Sequence, residues 1–378
     1  MYPRWRFDFT PDASDPDSSP ISPAEVFPER TIDEIADSTR PEGVEVEAWR
    51  DENLEAITQL SIPPETSRPS LWLTVVSLAL FVVTLGRWLG WEQTPFIVAI
   101  VLIHEAGHLV LKKAFGYTDL QLFFIPFIGA AVSGRKDDAS QVERALVALA
   151  GPVPSVIVAG GYLIAYHYGA FGMQDLPVRI ALVALIINGF NLIPLGMLDG
   201  GQFFNAILFS RRPWMDTACK LLAVAALVYF GVGSPWISFG IAAFILLTLR
   251  TTHNIAVLSS KLRAAGLNQD HSLDEMPLER LMLAYAKTRD LVEDSSATTL
   301  ERRVALRTGL LQRAYPGALA RPASAAWVVL LLAIYFSVSG LGGYAWWIHS
   351  KAVKAAEEQR LAAPEDEDPD DHPLKFMN

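Results

Sequence analysis

His104-Glu105-Ala106-Gly107-His108 lies within an apolar run from Phe96 to Leu111. Histidines four residues apart share one helix face, about 6 Å apart along the axis, so both can turn a ring nitrogen towards one ion. Zinc takes imidazole nitrogen at roughly 2.0–2.1 Å and, where it does chemistry, keeps three protein ligands and one open position. Glu105 is offset by one residue and can reach a water beside the ion without binding the ion itself. Gly107 is expected to clear space next to the metal. The third ligand must come from elsewhere. Asp199, followed by Gly200-Gly201, closes an apolar run that begins near Leu176, and so returns to the depth of His104. Asp-Gly-Gly is also a turn signal, a role compatible with ligation. Asp119 and His253 are the alternatives, both in polar stretches.

The flanks of the first motif are Ile, Val and Leu, which puts the ion at membrane depth. Ionisable groups are expensive there and mark function. The elements that hold them follow from composition. Of 378 residues, 51% are hydrophobic and 19% charged, against about a quarter charged in soluble proteins. Segments long enough to span a bilayer, about 20 residues, fall at 71–90, 95–115, 145–168, 176–195, 218–233, 235–249 and 325–348, the fifth and sixth forming a short hairpin. The fold class expected is an all-α polytopic membrane protein of about seven transmembrane helices. Phe123 to Ser133 is apolar but too short to span, and Pro126 and Gly129 break it, so it reads as re-entrant. Non-helical backbone at depth is tolerable only beside a protein-lined cavity.

Residues 1–70 are acidic and rich in Pro and Ser, without a cleavable leader, and read as a largely disordered arm with one short helix around Thr31 to Ile35. Residues 71–250 form the membrane domain, with its chemical core at about 95–210. Residues 251–324 hold amphipathic stretches, Leu278–Val292 and Leu300–Ala314, and read as a small cytosolic helical segment. Residues 325–348 are the last span and 349–378 an acidic tail. Lys112, Lys113, Arg135, Lys136, Arg211 and Arg212 cluster at one set of span ends, whereas Tyr168–Leu176 and Gly231–Trp236 hold no Lys or Arg. The positive-inside rule puts the amino terminus in the cytosol and both motifs at cytosolic helix ends. The net charge of -10 argues against nucleic acid as a partner. Cys219 is the single cysteine, so there is no internal disulfide and no cysteine set for zinc.

H-E-A-G-H on one membrane helix, with N-x-x-P-x-x-x-L-D-G-G closing a later one, resembles the site-2 protease family of intramembrane metalloproteases. The likeness covers about 95–210. It implies one zinc per chain held by His104, His108 and Asp199, with Glu105 as the catalytic carboxylate. It also implies that Asn191 positions the substrate backbone, and that Ile125-Pro126-Phe127-Ile128-Gly129-Ala130 is a membrane-inserted β-like loop. Phe127 and Gly129 would touch an unwound substrate there. Asn188, one turn before Asn191, is a further candidate for the same cavity. The chain departs from the pattern at Gly196, where a second proline is usual, and at Ser155, where asparagine is. His167 to Asp175 leaves no room for the inserted PDZ domain of some relatives. The substrate implied is a single-span membrane protein in the cell membrane. The competing reading is a non-catalytic metal-binding or transporter-like protein, in which Glu105 has no task.

Overall fold

The computed structural model describes residues 29–362, apart from 42–43, 62–70, 126–128, 137, 171–174, 197, 231–234, 271, 274–275 and 293–298. In chain order the elements are α1 (Glu29–Thr39), α2 (Val46–Ser61), α3 (Leu71–Leu89), α4 (Thr94–Ala114), β1 (Thr118–Ile125) and β2 (Gly129–Arg135). Then come α5 (Gln141–Ala150), α6 (Pro152–His167), α7 (Asp175–Asn191) and α8 (Asp199–Phe204). The last are α9 (Pro213–Phe230), α10 (Pro235–Ala264), α11 (Leu278–Ala286), α12 (Leu300–Leu319) and α13 (Ala325–Ala362).

Among the described residues, four helices are long and apolar enough to cross a membrane: Leu71–Leu89, Thr94–Ala114, Phe239–Ala264 and Ala325–Leu361. The pair α5–α6, bent by 41°, makes a fifth if taken as one span. The remaining expected spans form as helices too, α7 with 17 residues and α9 with Asp216 and Lys220 in its first half. Leu71, Trp72, Leu80 and Val83 on α3 are exposed. An apolar face of that size needs lipid or protein against it.

The chain divides into two compact units. One, made of Arg68–Lys136, Val142–Ile207 and Ala323–Asn378, holds the two motifs. Its α4 has Pro95 in its first turn and ends just before Gly116, which takes φ +78°, with Gly116 N–H donating to Lys113 O and Tyr117 N–H to Lys112 O. Glycine tolerates that left-handed position and the pair of bonds closes the last turn, aiming the chain into β1. Strands β1 and β2 form an antiparallel hairpin, with Leu122 opposite Val132 and Phe124 opposite Ala130. Residues 126–128, the centre of the expected β-like loop, lie outside the described residues. Helix α3 closes one edge of it: Thr74 Oγ1 donates to Leu122 O at 2.6 Å and Phe124 N–H donates to Ser77 Oγ at 3.1 Å. Two hydroxyls one turn apart on an apolar helix thus satisfy a strand edge.

The second unit comprises Met1–Ser67, Asp137–Gln141 and Leu208–Pro322. Here the sequence reading needs correction. The expected short helix is present as α1, but the arm is not largely disordered over Val46–Ser61: α2 forms as well, and Trp49, Ala56 and Ile57 join one core with Leu258, Met282 and Leu311. Trp49 is 1% exposed, stacks on Tyr285 at 5.9 Å, and donates its indole N–H to Thr39 Oγ1. Arg307, 1% exposed, donates to Glu52, which also accepts from Tyr285 Oη at 2.9 Å. Burial, and then the adjacent Glu52 carboxylate, raise the Tyr285 phenol well above its ordinary range, so it stays a donor. Two helices also run past the expected span ends. Helix α10 runs through residue 250 without a break, because no Gly or Pro falls between Gly240 and Gly266, which takes φ +69°. Helix α13 continues past 348 to Ala362.

Candidate metal centre

Helix α4 delivers His104 and His108 one turn apart, and Asp199 arrives as the first residue of α8. All three are buried, at 4%, 7% and 8% exposure. His104 Nε2 lies 3.1 Å from His108 Nε2, and Asp199 Oδ2 lies 3.0 Å from the first and 3.4 Å from the second. Ligands of a tetrahedral zinc at 2.0–2.1 Å stand about 3.3 Å from one another. The triangle has that size.

The other imidazole nitrogens say which protons are present. His108 Nδ1 is 2.7 Å from the Val147 carbonyl, which can only accept, so Nδ1 carries the hydrogen. His104 Nδ1 is 2.7 Å from Asn188 Oδ1. Asn188 Nδ2 donates to Ala184 O at 2.8 Å, which fixes the amide's orientation, so His104 Nδ1 is also a donor. Both Nε2 atoms then present lone pairs in the neutral rings, and they face a carboxylate oxygen that has no hydrogen-bond partner. Three converging acceptors in a buried site need a cation between them. Zinc fits this set, and the two Nδ1–H bonds are the kind of outer support that orients metal-binding histidines.

Glycines let the elements come this close. A Cβ at Gly151, in the break between α5 and α6, would stand 2.4 Å from His108 Nε2 and 2.9 Å from His104 Nε2. A Cβ at Gly107 would stand 2.1 Å from Ala150 O, so Gly107 admits the α5–α6 break against α4 instead of clearing space beside the ion. A Cβ at Gly200 would meet the Leu192 carbonyl, and one at Gly201 the Leu195 carbonyl, at 2.0 Å each, so the glycine pair lets that backbone close on the start of α8, where Asp199 sits. Tyr335 of α13 donates to the Leu192 carbonyl, and its ring stacks on Phe203 at 5.1 Å.

A cavity of about 420 Å³ opens onto the triad. Glu105, itself 5% exposed, lines it, as do Asn191 and Gly129. Asn188 behaves differently from its expected contact with substrate. It is fully buried and both ends of its amide are used inside the protein, so it holds His104 in place. Phe127 lies outside the described residues. Among the described residues only His104, His108 and Asp199 form a group of metal-ligand type; Asp119 is the second residue of β1, and His253 Nδ1 lies 3.1 Å from Thr217 Oγ1. The sequence reading used Lys112, which lines the cavity, only as an orientation charge, and named neither Val147 nor Tyr335. The signal for Lys112 was its position four residues after His108, on the same helix face.

No family model matches the chain. It is 27% identical over 119 residues to the zinc metalloprotease MJ0392 of Methanocaldococcus jannaschii, a stretch covering 31% of this chain and 34% of that protein. It is 26% identical over 216 residues to stage IV sporulation protein FB of Bacillus subtilis, covering 52% of this chain and 69% of that protein. The chain thus spans about a third of the first relative's length. Motif pair, ligand geometry and named relatives together bear out its resemblance to the site-2 protease family.

Proposed function

We propose that the chain is an intramembrane zinc endopeptidase that hydrolyses a peptide bond in or near the transmembrane segment of a single-span membrane protein. One observation carries the reading. Buried His104, His108 and Asp199 converge beside a buried carboxylate, Glu105, on a helix apolar enough to span a bilayer. A site that only binds metal has no need of a carboxylate beside the first histidine. When bound, zinc lowers the pKa of water to about 7 and polarises a carbonyl as a Lewis acid. Glu105 takes the proton of the attacking water and passes it to the leaving amine as the C–N bond breaks. Asn191 hydrogen-bonds the substrate backbone from the cavity wall. His104 and His108 keep their orientation through Asn188 and the Val147 carbonyl.

A substrate helix hides its amides in its own hydrogen bonds, so it must unwind before cleavage. The hairpin offers replacements by strand addition. In this reading the hairpin is re-entrant and the chain crosses the cytoplasmic membrane seven times. The amino terminus is cytosolic and the acidic tail outside, following the Lys and Arg bias. The catalytic group then lies towards the cytosol, and the lipid bilayer supplies both solvent and substrate.

The test is reconstitution in lipid bilayers with a single-span reporter carrying an Asn-Gly pair near the cytosolic end of its span. Cleavage within or beside the span, abolished by a zinc chelator and restored by added zinc, supports the proposal. Cleavage indifferent to chelation, or none at all, overturns it.

A further inference from the structure

The cavity around the triad is apolar at one end and charged at the other. Val101, His104, His108 and Lys112 line it from one face of α4. At 1.5 Å per residue, Val101 stands about 10 Å from His108 along the helix axis, and Lys112 about 6 Å from it in the opposite direction. Phe81 and Leu85 of α3 pack with Val101 and line the cavity as well, so the Val101 end is hydrocarbon. A substrate's apolar span suits that end, and the chain that leaves the span passes the triad towards Lys112.

The charge at the other end lacks a partner of its own sort. Lys112 Nζ donates to the Val132 carbonyl, its one hydrogen bond among the described residues, whereas an ammonium has three N–H donors. Val132 lines the cavity too, so the ammonium lies against the cavity wall. Among the described residues, the other charged groups lining the cavity are Glu105 and Asp199. The first is committed to the proton and the second to the metal, and the two imidazoles are neutral. Zinc, when bound, has its two positive charges balanced by these two carboxylates, and Lys112 leaves the cavity one charge positive. A charge held out of water is costly until an opposite charge meets it.

We infer that Lys112 selects substrates with an acidic side chain just beyond the bond that is cut, on its cytosolic side, an inference that rests on the proteolytic reading of the site. Extended chain advances about 3.3 Å per residue, so the distance from His108 to Lys112 corresponds to about two residues. An Asp or Glu there accepts a charge-assisted hydrogen bond from Lys112 Nζ. A hydrogen bond to a charged group is worth about ten- to a hundredfold in binding. Lys112 is in this account a specificity-determining residue. It sorts substrates by charge, while the hydrocarbon end of the cavity accepts any apolar span.

The experiment uses the full zinc-loaded chain in bilayers of zwitterionic lipid. Product masses first locate the bond cut in the single-span Asn-Gly reporter, and Asp, Asn or Lys is then placed at successive positions on its cytosolic side. Wild type is expected to cut the best Asp reporter about ten- to a hundredfold more efficiently than its Asn counterpart, through KM rather than kcat. The Lys counterpart should be cut least. Lys112→Met should treat Asp and Asn alike, and Lys112→Glu should prefer Lys, a reversal that a merely structural tie to Val132 would not produce. Lys113→Met, which removes an exposed charge one residue away, should keep the wild-type preference. A wild type indifferent to the three side chains overturns the inference without any variant. So does a Lys112→Met protein that keeps the Asp preference, or a Lys112→Glu protein that never turns to Lys. Should no reporter be cut, the proteolytic reading falls, and fluorescence titration of labelled reporters decides the charge preference by itself. Tighter binding of Asp than Asn that vanishes in Lys112→Met sustains it, and equal binding overturns it.

Discussion

Gly151→Ala separates the metal centre from the rest of the fold. Gly151 has φ -74° and ψ -63°, an ordinary helical conformation that alanine adopts freely. In such a position Gly→Ala stabilises a chain by about 0.4–1 kcal/mol through the unfolded state. The new methyl, however, would stand 2.4 Å from His108 Nε2, a full ångström inside the 3.4 Å at which ordinary contact begins, and 2.9 Å from His104 Nε2. His108 must therefore retreat by about 1 Å, when metal sites tolerate about 0.2 Å in ligand distance. Losing support for one ligand costs zinc sites 10–100-fold in affinity, and losing the ligand position itself should cost at least about 100-fold, or about 2.7 kcal/mol. The assay is zinc content after dialysis against a graded chelator, alongside thermal unfolding of the metal-free protein. The expected outcome is a metal-free melting point no lower than wild type, with zinc lost at chelator levels that wild type withstands. Full zinc retention by Gly151→Ala would refute the geometry of the site.

Other expectations follow from the same contacts. Asn188→Leu, which removes the acceptor from His104 Nδ1, should weaken zinc binding about 10–100-fold, while Asn188→Asp should keep most of it; chelator titration of both reads the difference. Arg307→Met leaves Glu52 buried without its charge partner and should destabilise the helical unit by about 3–5 kcal/mol, with the Glu52→Gln, Arg307→Met double variant recovering most of that in urea unfolding followed by proteolysis. A reporter fused after Arg250 should be cytosolic and one after Lys351 outside. Labelling of Ser234→Cys in a Cys219→Ser background should occur from outside only, and cytosolic labelling would remove the hairpin of spans.

Much of the site was legible because metal chemistry imposes spacing. His104, His108 and the Asp199-Gly200-Gly201 turn could be read from residue types alone, and the structure brings the three side chains to one point. What the side chains lean on was less visible. Asn188 lies at helical spacing from Asn191, and that spacing does not tell a cavity-lining amide from one that holds a ligand. Val147 contributes a carbonyl, which any residue would supply. Gly151 meets both imidazoles only through the tertiary approach of α5–α6 to α4, which no local pattern announces. Tyr335 reaches the Leu192 carbonyl from far along the chain, a contact that no local pattern foretells. The arm was misread for a compositional reason. Trp49, Asn53, Ala56, Ile57 and Leu60 fall on one helix face and are buried, but Glu and Asp between them lower the average apolarity of the segment. The helical period was there, and the acidic background hid it. The length of α10 was hidden similarly, since polar residues after Leu249 mark a change of surroundings without ending a helix.

The central claim is that Glu105 does chemistry beside a metal it does not bind, and Glu105→Gln tests it most directly. The substitution keeps the size of the side chain and leaves His104, His108 and Asp199 in place, but removes the proton acceptor. Measured together on one purified preparation, zinc per chain should stay at the wild-type level while cleavage of the single-span reporter disappears. Reporter cleavage at the wild-type rate by a Glu105→Gln protein that holds its zinc would contradict the account.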